Sequence, residues 1–446
     1  MIALLVSLLL VLADDCTRCG SPLREGSKFC TQCGQKSTPP SCPKCRTAAE
    51  PKDRFCAQCG ESLATNDDLA RGFELLQAGD FRGALEHFTK RLSENPHRAQ
   101  AYTGRARAYA GLGEGEKALA DADRAIELAP NESAHRELRA ELKFELGQDA
   151  RPDLDGAIRL NPRSANAFRL RARYWTRLAR DSGAESKQAL ERAIEDASRA
   201  VELDGSAASL VERGHVRLAA ARFDADPTSA LAKATTDFDA AIAKEPGSVE
   251  AWLGLGKAWI AVARLQESRR LDAKEAWNHA LRDAEEAIRL QPKLPRALRL
   301  RARVYQALGR TEEAIRDFTQ AIALHPRDAE VFVERGSALL QLARVQEAIA
   351  DFDRALAIQP RNFGALLYRG IAKSKLGDLE GAIRDFTAAL DLDPSSPDTL
   401  ANRAGVRLKL GDKQGAAADF ERALEVAPPG WPHRAQVERW LADIRK

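Results

Sequence analysis

Residues 329–362 read AEVFVERGSALLQLARVQEAIADFDRALAIQPRN. Phe332, Gly336 and Leu339 fall at helical spacing in the first half, and Ala348, Phe352 and Ala355 do so in the second, so the segment predicts two amphipathic helices joined by a turn. The small residues Gly336, Ala348 and Ala355 let the helix axes approach, and the large ones fill the space between them. The following 34 residues place Leu366, Gly370, Ala382, Phe386 and Ala389 at the same positions. Proline marks the period: Pro96 and Pro130 are 34 apart, as are successive members of the set Pro292, Pro326, Pro360, Pro394 and Pro428. Self-similarity at this interval predicts a solenoid of helical hairpins.

These small and large positions resemble the tetratricopeptide repeat (TPR) family. The resemblance covers residues 65–430 and implies an all-α superhelical solenoid of about ten repeats that binds a protein or peptide. Pro152 is expected to interrupt the second helix of repeat three, because it lacks an N–H and clashes with the preceding turn. Repeats four to six are longer: counting from Pro162, the proline-equivalent positions are Gly205, Pro246 and Pro292, at spacings of 43, 41 and 46. The excess is expected between the two helices of each repeat, giving a projecting ridge. Residues 431–446, with Val437, Trp440, Leu441 and Ile444 on one face, read as a helix that caps the last repeat.

The composition fits such an array. Among 446 residues, 44% are apolar but only 6% aromatic, with one Met, so Ala and Leu must supply the packing. Lys and Arg number 68 against 65 Asp and Glu, a net charge of +3. No overall field therefore draws the chain to a polyanion.

All eight cysteines lie before residue 60. Cys16 and Cys19 form a Cys-x-x-Cys pair, Cys30 and Cys33 a second, and Cys42, Cys45, Cys56 and Cys59 repeat the arrangement. Tetrahedral zinc needs four thiolates, and two such turns close one site with no position left for water, so two structural zinc ions are expected. An oxidised disulfide framework is the alternative. Cys-Thr-Arg-Cys-Gly followed by Phe29-Cys30-Thr-Gln-Cys33-Gly, with a second copy ending in Phe55-Cys56-Ala-Gln-Cys59-Gly, resembles the double zinc ribbon family over residues 14–63. Residues 14–66 hold eight basic and six acidic side chains. Two zinc ions bound by four thiolates each would turn that balance negative, which disfavours phosphate binding.

Residues 1–13 are almost wholly apolar, like the core of an export signal, although no Lys or Arg precedes them. Export or membrane association is the expectation, with a cytoplasmic chain whose first residues fold against the rest as the alternative.

Arg105, Arg171, Arg301, Arg335, Arg369 and Arg403 recur at repeat position 7, and Asp121, Asp196, Asp283, Asp317, Asp351, Asp385 and Asp419 at position 23. Recurrence at every level predicts a ladder of inter-helix ion pairs rather than one active site; a repeated ligand contact is the other reading. The seven histidines are scattered, and no nucleophile, base and acid stand in a recognisable pattern, so no catalytic residue is assigned.

In the TPR family the first helices line the concave groove. Carried onto this chain, the resemblance assigns Arg169, Arg173, Lys257, Arg296, Arg299 and Arg303 to a basic stretch and Val333, Leu340, Leu367 and Ile371 to an apolar one. Together they suit an acidic peptide with an apolar end. The alternative pairs these arginines with Glu212, Glu330 and Glu334. The resulting expectation is a non-enzymatic scaffold or adaptor with the zinc ribbons as a second docking module. A nucleic-acid regulator using the ribbons, or a non-catalytic subunit supporting an enzyme, is the runner-up.

Overall fold

A computed structural model describes residues 67–181, 186–224 and 226–445. The described residues form 21 α-helices and no strand. The chain divides into two compact units, the first ending at Asp153 and the second beginning at Leu154.

In the first unit the helices are α1 (Asp67–Gln77), α2 (Phe81–Glu94), α3 (Ala99–Gly111), α4 (Gly115–Leu128) and α5 (Ser133–Glu145), and α6 (Arg151–Leu160) spans the division. The second unit continues with α7 (Ala165–Asp181), α8 (Ser186–Asp204), α9 (Ala207–Ala220), α10 (Thr228–Lys244), α11 (Val249–Ser268) and α12 (Lys274–Leu290). The regular repeats follow: α13 (Pro295–Ala307), α14 (Thr311–Leu324), α15 (Ala329–Gln341), α16 (Val345–Ile358), α17 (Phe363–Leu376), α18 (Leu379–Leu392), α19 (Pro397–Lys409) and α20 (Lys413–Val426). A last helix, α21, runs Arg434–Ile444.

Within each unit the hairpins stack through one recurring contact. Phe88, Phe238, Phe318, Phe352, Phe386 and Phe420 on the second helices are fully buried. Several face a glycine on a first helix: a Cβ built on Gly336 would lie 2.6 Å from Phe352 Cε1, and one on Gly370 would lie 2.7 Å from Phe386 Cε1. The rings thus fill space that any side chain would occupy, at the density of a protein interior. Alanines at the flanking positions, Ala348, Ala355, Ala382 and Ala389, are also fully buried.

Two expectations need correction. Pro152 does not break a helix, because α6 starts at Arg151 and the missing N–H falls in the first turn, where no intrahelical partner exists. The cost is a second helix of 10 residues against the 14 of α16. In repeats four and six the excess lengthens the helices themselves, α7, α8 and α11 having 17, 19 and 20 residues, whereas in repeat five α9 keeps 14 and a 3-10 turn, Ala221–Phe223, lies between the two helices as expected. In α21, Val437 and Leu441 are buried as the apolar spacing predicts, whereas Trp440 is exposed and stacks on Phe420 with ring centroids 5.6 Å apart. Trp431 just before it is buried and donates its indole N–H to Asp398 at 2.9 Å. No described helix is long and apolar enough to cross a membrane.

The turn inside each hairpin adds a backbone constraint. Gly79, Gly113, Gly147, Gly309, Gly377 and Gly411 occupy the same repeat position with φ between 73° and 85°, closing the first helix with a left-handed residue. In repeat eight that place belongs to Ala343, with φ 57°. A Cβ in the left-handed region costs about 1–2 kcal/mol, partly offset by the smaller unfolded-state entropy of alanine. Ala343→Gly is expected to raise stability by about 0.5–1 kcal/mol in urea denaturation; a loss of stability would show that Ala343 is unstrained.

Candidate functional site

The six position-7 arginines meet their position-23 aspartates as expected, whereas Asp283 faces Leu255 and has no arginine. Arg301 donates from Nε and Nη2 to Asp317 at 2.7 and 2.8 Å, and Arg335, Arg369 and Arg403 hold Asp351, Asp385 and Asp419 with the same two-pronged geometry. Arg105–Asp121 and Arg171–Asp196 repeat it. Two rungs absent from the sequence reading join the series: Arg139 with Asp153, and Arg213 with Asp237. The turn at Gly205 is one residue short, which displaces repeat five by one position and hides Arg213 from proline counting. Each aspartate is buried, so its charge requires the guanidinium. At Asp153, burial is outweighed by hydrogen bonds from Arg139 and Lys143, which hold the carboxyl below its ordinary value.

The ladder also ties repeat to repeat. Arg139 reaches back to Asp123, Arg171 to Asp155 and Arg369 to Asp353, at 2.6, 2.8 and 2.6 Å, on the preceding second helix. Those second carboxylates are 37–54% exposed, so the ladder opens toward solvent along the second helices. Its distribution over many repeats is that of a structural element.

The first helices of the second unit present a different surface. Arg173, His215, Lys257 and Arg303 occupy equivalent places on α7, α9, α11 and α13. Arg173 is held by Glu212 at 2.8 Å, Arg296 by Glu250 at 2.5 Å, and Arg299 by Glu334 at 2.6 Å with Asp328 and Glu330 farther off. Arg303 lies 3.7 Å from Glu334. Arg169 donates to Asn166. Much of the basic charge is therefore compensated within the stack, the alternative that the sequence left open.

Compensation is incomplete around Lys257. Burial lowers its pKa, and Arg296, Arg180 and Arg303 lower it further against the opposing pull of Glu250. Arg303 is lowered by burial, opposed by Glu334, with Arg264 and Arg299 adding to the lowering. His215, edge-on to Phe238, is pushed down to about 4 by burial and by Lys257, Arg173 and Arg180, opposed by Glu250. Two cations not assigned from the sequence thus join the group, Arg180 acting on Lys257 and Arg264 on Arg303, with the uncharged His215 beside them. His215 escaped through the same register shift as Arg213, while Arg180 and Arg264 lie in the elongated ends of α7 and α11.

The apolar stretch is more closed than expected. Val333 is 6% exposed and belongs to the core of repeat eight, because a first-helix residue facing the next repeat is covered by it. Leu340 packs at the edge of that cluster, and Leu367 and Ile371 pack beside Phe386, all partly buried. Cys16, Cys19, Cys30, Cys33, Cys42, Cys45, Cys56 and Cys59, and the apolar residues 1–13, lie outside the described residues.

Tetratricopeptide repeat family models match residues 75–142, 299–363 and 367–432, and a double zinc ribbon model matches residues 16–60. No curated protein matches the chain. Among solved structures, yeast Tom70 is similar at 15% identity over 84% of this chain and 94% of that one, with a TM-score of 0.42. YrrB, described as a TPR protein with an unusual peptide-binding site, is similar at 20% identity over 43% of this chain and 93% of its own, with a TM-score of 0.33. TTC0263, a thermophilic TPR protein of Thermus thermophilus, shares 25% identity over 41% of this chain and 99% of its own, at a TM-score of 0.35. The 34-residue hairpins and the matched segments together make this chain a tetratricopeptide repeat protein with a double zinc ribbon near its N-terminus.

Proposed function

We propose that the chain is a non-catalytic scaffold that holds an acidic segment of a protein partner along the first helices of repeats four to seven. The observation that carries this reading is the uncompensated positive charge at Lys257, where Arg180, Arg296 and Arg303 act on one ammonium and only Glu250 opposes them. Lys257 is itself exposed, so a partner's carboxylate can reach it and relieve that repulsion. The repeats support an interaction role in general, and the charge distribution supports an acidic partner.

Lys257→Glu is expected to weaken binding of an acidic peptide roughly tenfold or more, the size of one lost charge-assisted contact. Fluorescence polarisation at two salt concentrations reads both affinity and its electrostatic origin. His215 supplies an internal reporter. Its pKa in the folded chain lies below that of a free imidazole, so its contribution to stability is present above about pH 6.5 and is lost as the pH falls toward 4. A bound acidic peptide should raise the midpoint of His215 in an NMR titration. Affinity untouched by Lys257→Glu and by salt, with an unmoved His215, would refute the basic groove.

The eight cysteines fit two zinc ions by donor chemistry, two sets of four thiolates at equal spacing. Cys16, Cys19, Cys30 and Cys33 would hold one ion, and Cys42, Cys45, Cys56 and Cys59 the other, making a compact second docking module. Two zinc ions per chain are expected by elemental analysis, and a chelator should unfold this module while sparing the helical signal. Eight oxidised, metal-free sulfurs would contradict it.

A further inference from the structure

One rung of the ladder lacks its cation. In repeat six the position-7 place on α11 is Leu255, which is buried, and the aspartate opposite it on α12, Asp283, is kept. Asp283 is 6% exposed, and its Oδ2 is buried with no hydrogen-bond partner. Asp239 on α10 stands where Asp123, Asp155 and Asp353 stand in their repeats, as the exposed second carboxylate that a position-7 guanidinium reaches. Both halves of the acceptor therefore remain, and only the guanidinium that bridges them elsewhere is missing. A second source of charge is absent too. Lys143, Arg217, Lys373 and Arg407, one turn beyond the position-7 arginine, each contact the same buried aspartate in their repeats. Repeat six has Trp259 at that place, with its indole stacked on His279 at 4.4 Å and 17°.

The remaining surroundings do not neutralise the pair. Arg282 on α12 donates toward His279 Nδ1 at 2.8 Å, and burial raises Asp239 with only His279 opposing. From α13 the approach is apolar: a Cβ on Gly256 would meet Leu300 Cδ2 at 2.9 Å and Asp283 Cβ at 3.4 Å. A metal ion is a poor fit, since no group of three His, Cys, Asp or Glu side chains able to hold one occurs among the described residues. A planar monocation that bridges two carboxylates and lies against an aromatic face suits the place, which is the chemistry of arginine rather than lysine.

We propose that this rung is completed from outside, by an arginine side chain of a binding partner that enters beside the exposed Asp239 and places its guanidinium between Asp239 and Asp283. The ladder opens along the second helices, so this contact lies apart from the basic first-helix surface and engages a residue of opposite charge. In the unliganded chain burial pushes Asp283 up to about 7, Asp239 raising it further and Arg282 opposing. An incoming guanidinium favours the ionised carboxylate against that rise. Affinity should rise with pH through about 7 and level off above it.

The test titrates acetyl-Gly-Arg-Gly-amide into the full-length chain by calorimetry, with the lysine and citrulline peptides as controls. The arginine peptide is expected to bind, the uncharged citrulline analogue to bind at least about tenfold more weakly, and affinity to increase from about pH 6 to pH 8. Leu255→Arg supplies the missing guanidinium from within and should abolish binding while raising the melting temperature. Asp239→Asn, at an exposed position, should weaken binding without disturbing the fold and keeps the test decisive if Leu255→Arg does not fold. No arginine binding, or equal affinity in the wild type and Asp239→Asn, would overturn the proposal.

Discussion

A phenylalanine ring set against a helix that has no side chain at the point of contact is the interaction on which the rest of this structure depends. Phe352 and Phe386 are fully buried, or nearly so, over Gly336 and Gly370, where an added Cβ would come within 2.6 and 2.7 Å of the ring. The ring draws the two helices of a hairpin to one distance, and flanking alanines let adjacent hairpins follow at the same distance. A contact that must recur in register imposes a fixed period, and the proline interval is its visible trace. Phe238 extends the arrangement between hairpins: a Cβ on Gly214 of its own repeat or on Gly254 of the next would lie 2.8 or 2.2 Å from the ring.

Electrostatics then orients what packing brings together. The arginine of each rung reaches its own aspartate and, in several repeats, an acceptor on the previous one, so the ladder links hairpins in series. Such pairs add modest net stability, because desolvation offsets attraction, but losing one partner strands a buried charge. That asymmetry gives Leu255 its meaning. A ladder that needs its cations for satisfaction keeps both carboxylates at the one rung among the described residues where an aspartate faces a leucine. By contrast, the first-helix arginines are largely paired with Glu212, Glu250 and Glu334, leaving net charge only where the longer helices α7 and α11 add Arg180 and Arg264.

The repeat, its two helices and six of the ladder pairs were legible because each is written in local spacing. What was missed depends on register or depth. One residue fewer at the turn before α9 moved Arg213 and His215 out of the counted columns, although both lie on the same helix face as their counterparts. Leu255 was passed over because an apolar residue in an apolar helix carries no signal until its neighbours are known. Val333 was assigned to an open groove by position, but the next repeat covers it, and coverage by a neighbour is a property of the stack. The excess of repeats four and six falls between the two helices by position, but residues such as 257–268 continue the helix instead of ending it. Pro152 was read as a break because its position relative to the helix start could not be fixed from spacing.

The central claim, that ring and glycine specify one another, is most directly tested by a double-mutant cycle on Gly336 and Phe352. Gly336→Val and Phe352→Ala are made singly and together, and unfolding free energies are measured in urea. Valine should clash with the ring and alanine should leave a cavity, each destabilising by about 1–5 kcal/mol. The account predicts that the double variant is more stable than the sum of the two losses by at least about 1 kcal/mol, because the valine enters the space the ring vacated. Strict additivity of the two losses would contradict it.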